Sequence, residues 1–273
     1  MSPSPSFRPS YRLSDLWRAP LHDFPIRDEI VRQYLTMTAT MNVLEIGPGS
    51  GLTAFRLSRQ VSRLTLVEVS ESNVARLRQT FGHIRNIDIV WADATDPELP
   101  RRLQATFDAA YGLEVFAYIP DREACLRNLA LLLRPGAELL LQFPNYPQPL
   151  RPELTVFRTR EDLDSLLEKA GFAEWGVWAL SLRPYAGALF HRFVQRPLQL
   201  YRRWNQRKAY DHAAIYEQTW AFRHHHRLER YKLFLNSAWL LLSLAIRLGG
   251  DCFERHELEN DVRNRNLLVI ARR

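Results

Sequence analysis

An apolar run that ends in three closely spaced glycines is the first place in this sequence where ligand chemistry is expected. In the segment VLEIGPGSG, Gly47, Gly49 and Gly51 form a G-x-G-x-G pattern, and Glu45 lies two residues before the first glycine. Glycine-rich turns after strands let the backbone approach a bound nucleotide closely. Pro48 removes one N–H donor from the turn, and Glu45 adds negative charge. The turn therefore suits a cationic or zwitterionic ligand better than a pyrophosphate.

The glycine spacing also separates this turn from the dinucleotide-binding fingerprint. That fingerprint reads G-x-G-x-x-G, and its third glycine lets the helix pack closely on the strand. Leu52 stands where the dinucleotide pattern needs its third glycine. A nicotinamide enzyme would also need a partner motif for hydride transfer, and we find none. The sequence therefore disfavours hydride transfer.

Two further acids follow strand-like segments. Glu68 lies near the end of RLTLVEVS, and Asp93 ends NIDIVWAD. A carboxylate suits a diol, because it accepts two hydrogen bonds at once. Together with the acid before G-x-G-x-G, the positions of Glu68 and Asp93 resemble the motifs of the class I S-adenosylmethionine-dependent methyltransferases. FDAAYGLEVFAYIPD and LLRPGAELLL resemble the fourth-strand and fifth-strand segments of that family, so the resemblance covers roughly residues 41–171.

The resemblance implies S-adenosylmethionine as the cofactor and gives each mark a role. The glycine turn would approach the methionine part of the cofactor, with Glu45 near its polar end. Glu68 would hold the two ribose hydroxyls, and Asp93 would accept a hydrogen bond from the adenine amino group. The cofactor-binding residues implied in this way are Glu45, Gly47, Pro48, Gly49, Gly51, Glu68, Val69, Asp93, Ala94 and Tyr111.

The resemblance also implies in-line transfer of a methyl group from the sulfonium sulfur to a lone pair of an acceptor. The enzyme then mainly positions the two reactants and excludes water. Tyr111 and Glu114 close the fourth strand and are expected to face the transferred methyl group, and His191 is the third catalytic candidate. A general base would assist a hydroxyl or an acidic carbon, whereas a deprotonated amine needs little help. A solvated side chain is the alternative interpretation of His191.

The histidine and cysteine patterns predict no metal site. The adjacent histidines of HHHRLER cannot all face one ion on a helix. Cys125 and Cys252 stand far apart in the sequence, which argues against a zinc site or a disulfide framework and favours a reducing compartment. Cys125 also falls inside a predicted helix, so the sequence offers no nucleophile for cytosine C5 methylation.

The acceptor is predicted from the segment after the fourth strand. The first motif also resembles those of the ribosomal RNA adenine dimethyltransferases and of some bacterial phospholipid N-methyltransferases. The RNA enzymes carry an Asn-x-Pro-Tyr-like segment after strand four, but this sequence reads YGLEVF there. VFAYIPD instead resembles the corresponding segment of small-molecule and lipid-quinone methyltransferases. A small organic or amphiphilic acceptor is therefore favoured, while an RNA methyltransferase and a non-catalytic cofactor-binding partner protein remain alternatives.

The order of elements must place these residues at one edge of a sheet. Apolar strand-like runs alternate with helical patterns, which predicts an α/β fold with a parallel core. We expect a Rossmann-like, seven-stranded mixed sheet with helices on both faces, closed by a terminal hairpin. A gap of about eighty residues before the last strand is too long for a structureless loop, so it predicts a helical insertion.

Four segments follow from this order. Trp17, Phe24 and Arg27 are the candidate residues of a flap that would close over the cofactor. The predicted segments are 1–40, a leader and cofactor-flap helix; 41–184, the cofactor-binding core; 185–262, the helical insertion and substrate lid; and 263–273, the final strand of the core.

The charge of the chain is concentrated in the insertion. The formal net charge is +7, and residues 183–232 hold eleven Lys/Arg against three Asp/Glu. The apolar run that follows is typical of a helix packed on its own domain or across a homodimer. A platform that docks on an anionic membrane is the other hypothesis. Interleaved aromatics would also suit single-stranded nucleic acid, a less favoured partner. The run is too short to span a bilayer, and no signal segment opens the chain, so we expect a cytoplasmic protein, peripheral at the membrane.

Overall fold

The computed structural model describes residues 27–49, 51–146, 156–195, 241–242 and 244–273, and the structural statements below concern these residues. The flap candidates Trp17 and Phe24 lie outside them, as do the HHHRLER segment and most of the basic part of the insertion. The boundaries of the four segments stay predictions.

Eight strands form one mixed sheet with the order β3-β2-β1-β4-β5-β8-β6-β7. The first five strands are parallel to one another. β8 runs antiparallel to β5 and β6, and β7 runs antiparallel to β6. The strands are β1 (Asn42–Ile46), β2 (Arg63–Glu68), β3 (Ile87–Trp91), β4 (Phe107–Leu113), β5 (Leu133–Asn145), β6 (Glu174–Leu182), β7 (Phe253–His256) and β8 (Arg265–Arg272).

Helices cover both faces of the sheet, as the sequence predicts. One buried apolar cluster lies under α5 and α6, and a second lies under α1, α2 and α3. Within the described residues, no helix is long and apolar enough to cross a bilayer. The α-helices are α1 (Asp28–Tyr34), α2 (Leu52–Leu57), α3 (Glu71–Phe81), α4 (Leu99–Leu103), α5 (Arg122–Leu132), α6 (Arg160–Ala170) and α7 (Pro184–Phe190), and residues 244–248 add a further helical turn.

The strand order fixes where a ligand can bind. Successive parallel strands run outward from β1 to β3 in one direction and from β4 to β5 in the other, so the order reverses between β1 and β4. Open α/β sheets bind ligands beyond the carboxyl ends of the strands at such a switch point. The glycine turn follows β1 directly and therefore lies at this point.

The eighth strand corrects the predicted count of seven and the all-helical insertion. Phe253–His256 pairs with the end of β6, within the segment predicted to be helical. Four residues are too few to show a clear two-residue alternation, so the sequence pattern could not reveal this strand. Most of α7 and residues 244–248, which are helical, lie in the same segment, and the helical insertion stays a prediction.

The bounds of two helices have different causes. Thr159 caps α6 through a capping box with Asp162, and the helix ends at Gly171 in a left-handed conformation. α5 ends at Leu132, before Pro135 and Gly136, because the backbone of Leu133 already pairs with β4. Local chemistry sets the first boundary, and a tertiary contact sets the second.

A buried ion cluster fastens α1 to two other elements. We name it the Asp28 cluster; it consists of Asp28, Glu29, Arg32, Arg56 and Arg247. Asp28 is 1% exposed, and its carboxylate accepts hydrogen bonds from Arg56 of α2 at 2.8 Å and from Arg247 at 2.7 Å. The helix that follows the glycine turn is thereby tied to the N-terminal helix and to the helical turn at residues 244–248.

Candidate functional site

The turn after β1 has a backbone that glycine adopts readily. Gly47, Gly49 and Gly51 have φ values of +62°, +55° and +76°, all in the left-handed region. The Gly47 N–H donates a hydrogen bond to the Val67 carbonyl oxygen at 2.9 Å, and the Gly51 N–H donates one to the Pro48 carbonyl oxygen at 2.9 Å. The glycine spacing read from the sequence therefore corresponds to a tightly folded turn.

Glu68 stands at the end of β2, facing this turn. One carboxylate oxygen accepts a hydrogen bond from the Gly49 N–H at 3.2 Å, and the other accepts from the Ser70 N–H at 2.9 Å. Each oxygen of an ionised carboxylate has a second lone pair for a further donor. Glu68 can therefore hold the turn and still receive two hydroxyl groups of a ligand.

An exposed apolar pair lies between Glu68 and Asp93. Val69 is 61% exposed and Trp91 is 50% exposed, although both are large apolar residues. The Trp91 indole N–H donates to the Val69 carbonyl at 3.0 Å. Asp93 is exposed and accepts from the backbone and hydroxyl of Thr95 at 2.8 Å each. Val69 and Asp93 were singled out from the sequence, whereas Trp91 was not.

Tyr111 lies deeper than expected for a residue that faces the transferred methyl group. It is fully buried, and its hydroxyl donates to Glu45 Oε2 at 2.7 Å. Burial raises the pKa of Tyr111 well above 10, and the Glu45 carboxylate adds to this rise. The hydroxyl therefore stays protonated and donates to Glu45, which is itself 3% exposed.

Glu114 occupies the end of β4 with a strained backbone at φ +62°. Its carboxylate accepts from the amide of Gln142 at 2.8 Å, and the same amide donates to Asn266 at 2.6 Å. Gln142 is fully buried on β5, and Asn266 lies on β8. Tyr146 follows β5; burial raises its pKa, and Glu114 contributes to the rise. Sequence reasoning found only Glu114, because the other three carry no motif.

His191 and Cys125 have contrasting environments. His191 is exposed in the π-helical turn His191–Gln195 after α7. Burial raises the pKa of the Cys125 thiol to about 12, with Asp93 contributing, so it is a poor nucleophile. No group of three or more potential metal ligands occurs in the part of the chain that the structure describes.

Alanine substitutions at Gly49 and Gly51 should separate ligand binding from stability. A Cβ at Gly51 would lie 2.4 Å from Phe81, whereas a Cβ at Gly49 would meet none of the described residues within 4 Å. Both positions cost about 1–2 kcal/mol of left-handed strain, and we expect Gly51→Ala to lose about 2 kcal/mol more through overpacking. Gly49→Ala should weaken binding of S-adenosylhomocysteine instead, because Gly49 is predicted to contact the cofactor. Urea unfolding measures the loss of stability, and calorimetry measures the loss of ligand affinity. If the two variants were equally destabilised, the expected clash between a Cβ at Gly51 and Phe81 would be wrong.

Comparisons with known proteins agree with this geometry. Residues 44–139 match the family model of a methyltransferase domain. An O-methyltransferase of Aspergillus sclerotiorum is 28% identical over 152 residues, covering 50% of this chain and 57% of that protein. A ubiquinone biosynthesis O-methyltransferase of Alkalilimnicola ehrlichii is 29% identical over 129 residues, covering 46% of this chain and 51% of that protein. The chain thus spans about half the length of these curated relatives.

A solved structure extends the likeness along the chain. An S-adenosylmethionine-dependent methyltransferase from Mesorhizobium loti gives a TM-score of 0.54 at 18% identity, covering 93% of this chain and 100% of that chain. At such low identity the likeness shows the fold alone. The predicted Rossmann-like α/β fold is confirmed, and together with the family match the resemblance to class I methyltransferases is confirmed.

Proposed function

We propose, from the class I methyltransferase domain at residues 44–139, that this chain transfers a methyl group from S-adenosylmethionine to a hydroxyl group of a small organic acceptor. The observation that carries the proposal is the Glu68 carboxylate, hydrogen-bonded to the backbone of a left-handed glycine turn at the switch point of the sheet. Each of its oxygens keeps a lone pair for a ribose hydroxyl.

The residues around the turn fit the cofactor. The space beside Gly49 is open, so backbone can approach the methionine part without obstruction. The exposed side chain of Val69 offers an apolar surface for adenine, and Asp93 with Ala94 lies beside it. When bound, the cofactor supplies an electrophilic methyl group on a sulfonium sulfur. The chain contributes orientation and the exclusion of water.

Glu114 is the residue we propose to act on the acceptor. It lies at the end of β4, and the buried amide of Gln142 holds one of its oxygens. As the acceptor oxygen attacks the methyl carbon, the carbon–sulfur bond breaks and its electron pair stays on sulfur. The hydroxyl proton passes to the Glu114 carboxylate. Tyr146, 47% exposed at the end of β5, borders the same place.

The choice of a hydroxyl acceptor is supported by the names of the relatives, which are O-methyltransferases. An amphiphilic or lipid-like acceptor, docking on an anionic membrane, homodimer formation and the catalytic role of His191 remain predictions. So do the alternatives of RNA methylation and of a non-catalytic cofactor-binding protein. Most of the insertion on which these hypotheses rest lies outside the described residues.

Calorimetry and label transfer test the proposal. We expect the protein to bind S-adenosylhomocysteine and not NADH, and to move a labelled methyl group from S-adenosylmethionine onto small hydroxyl-bearing aromatics. Single-stranded RNA is the control acceptor, and its labelling should stay at background. Binding of NADH without S-adenosylhomocysteine would refute the cofactor assignment. Labelling of RNA alone would favour the alternative acceptor class.

A further inference from the structure

The contact between Glu45 and Tyr111 is built into the sheet. β1 and β4 are neighbours, and their register places Glu45 directly opposite Tyr111. Opposite residues of paired strands point to the same face, so the two side chains meet. The Tyr111 hydroxyl lies 2.7 Å from Glu45 Oε2, and both residues are almost completely buried. The Tyr111 hydroxyl therefore anchors one oxygen of the carboxylate.

Burial makes this anchor more consequential than a hydrogen bond at the surface. A buried carboxylate without donors is costly, and hydrogen bonds to the charged form lower that cost. Tyr111 keeps its proton, since burial, Glu45 and, to a smaller extent, Asp28 all raise its pKa. The phenol therefore remains a donor and holds the Glu45 carboxyl group in one orientation.

Glu45 also lies where its charge can reach a ligand of the turn. It stands two residues before Gly47, the first left-handed residue after β1. A carboxylate has lone pairs beyond the one that Tyr111 uses. The methionine part of the proposed cofactor ends in an ammonium group and a carboxylate, and the ammonium group is the natural partner for a fixed negative charge.

We propose that Tyr111 is a positioning residue, whose hydroxyl holds the Glu45 carboxylate in place to bind the amino group of the cofactor's methionine part. This inference rests on the proposed function and concerns how the same site recognises its ligand. Tyr111 itself does not touch the reacting atoms; its effect passes through Glu45.

Two ligands separate this role from a general structural one. S-adenosylhomocysteine carries the amino acid part, whereas 5′-methylthioadenosine carries the adenosine and sulfur without it. We expect Tyr111→Phe to weaken binding of S-adenosylhomocysteine about tenfold or more, the effect typical of a hydrogen bond to a charged group. Binding of 5′-methylthioadenosine should change less than about twofold. Calorimetry on the full chain measures both affinities.

A matched control removes a different phenolic hydroxyl. Tyr185 donates to the carbonyls of Gly250 at 3.0 Å and Asp251 at 2.8 Å, and it is not part of the cofactor site. Tyr185→Phe should bind both ligands as the wild type does. Glu45→Gln should reproduce the selective loss, and adding Tyr111→Phe to it should weaken binding little further, because coupled residues are not additive.

The outcomes distinguish this inference from the proposed function. Tyr111→Phe could weaken the binding of both ligands by the same factor, or its effect could add fully to that of Glu45→Gln. Either result would mean that Tyr111 does not act through Glu45. The inference would then be overturned, while the proposed function stands. If the wild-type protein binds neither ligand, the proposed function itself fails.

Discussion

A Glu68→Ala variant should bind S-adenosylhomocysteine at least about a hundredfold more weakly than the wild type, a loss of about 2.7 kcal/mol. Two effects combine. The ligand loses two charge-assisted hydrogen bonds to its ribose hydroxyls, each worth about 1.5–3 kcal/mol. The Gly49 N–H also loses its acceptor, which loosens the turn. Calorimetry with the full chain measures the change.

Two further substitutions serve as controls for the Glu68→Ala measurement. Glu71→Ala removes the same charge from an exposed position three residues later and should leave the affinity unchanged. Glu68→Gln keeps the size and one acceptor oxygen, so an intermediate affinity is expected. If Glu68→Ala bound within about threefold of the wild type, a difference below 1 kcal/mol, the ribose would not lie at the end of β2.

Replacing Asp28 with asparagine should lower the free energy of unfolding by about 3–5 kcal/mol, the usual cost of removing one partner from a buried ion pair. The side chains of Arg56 and Arg247 are only 7% and 9% exposed. Asparagine removes the negative charge that both guanidinium groups share inside the protein. Urea or thermal unfolding at pH 7 measures the loss.

The pH dependence of that loss follows from the Asp28 carboxyl group. Burial alone would raise its pKa, but the guanidinium groups of Arg56, Arg247 and Arg32 outweigh burial, and the pKa falls below its ordinary value of 3.8. A carboxyl whose pKa is lowered by folding stabilises the fold above its ordinary pKa and loses this contribution as pH falls through the folded value. The difference between wild type and Asp28→Asn should therefore be full at neutral pH and shrink below pH 3.8.

An exposed ion pair provides the matched control. Arg63 and Asp88 form a pair whose side chains are 63% and 37% exposed. Asp88→Asn should cost less than about 1 kcal/mol, because solvent screens such pairs. Similar losses in Asp28→Asn and Asp88→Asn would mean that burial does not strengthen the Asp28 cluster.

Features with local chemical signals could be predicted from the sequence. The G-x-G-x-G spacing, Glu45 before it and Glu68 at a strand end predict the turn and its acidic partner, and the structure places them together. Thr159 three residues before Asp162 predicts the start of α6 in the same way. In each case a short stretch of chain carries all the information needed.

Contacts between distant parts of the chain could not be predicted. Asp28 and Arg247 are 219 residues apart, and neither belongs to a motif. Gln142 resembles any polar residue in a strand until the fold brings it beneath Glu114. The sequence predicts Tyr111 near the end of the fourth strand, but only the register of β1 against β4 shows that its hydroxyl meets Glu45.

The position of β8 has a consequence for how the protein forms in the cell. β8 lies between β5 and β6, so β6 has no place on the sheet until residues 265–272 have been synthesised. At ribosomal speeds of about 5–20 residues per second, the stretch after β6 takes of the order of ten seconds to emerge. During that time β5 and β6 both present unpaired backbone edges, which favour association with other chains. Nascent chains therefore present two unpaired strand edges late in translation, after residues 44–139 have already been synthesised.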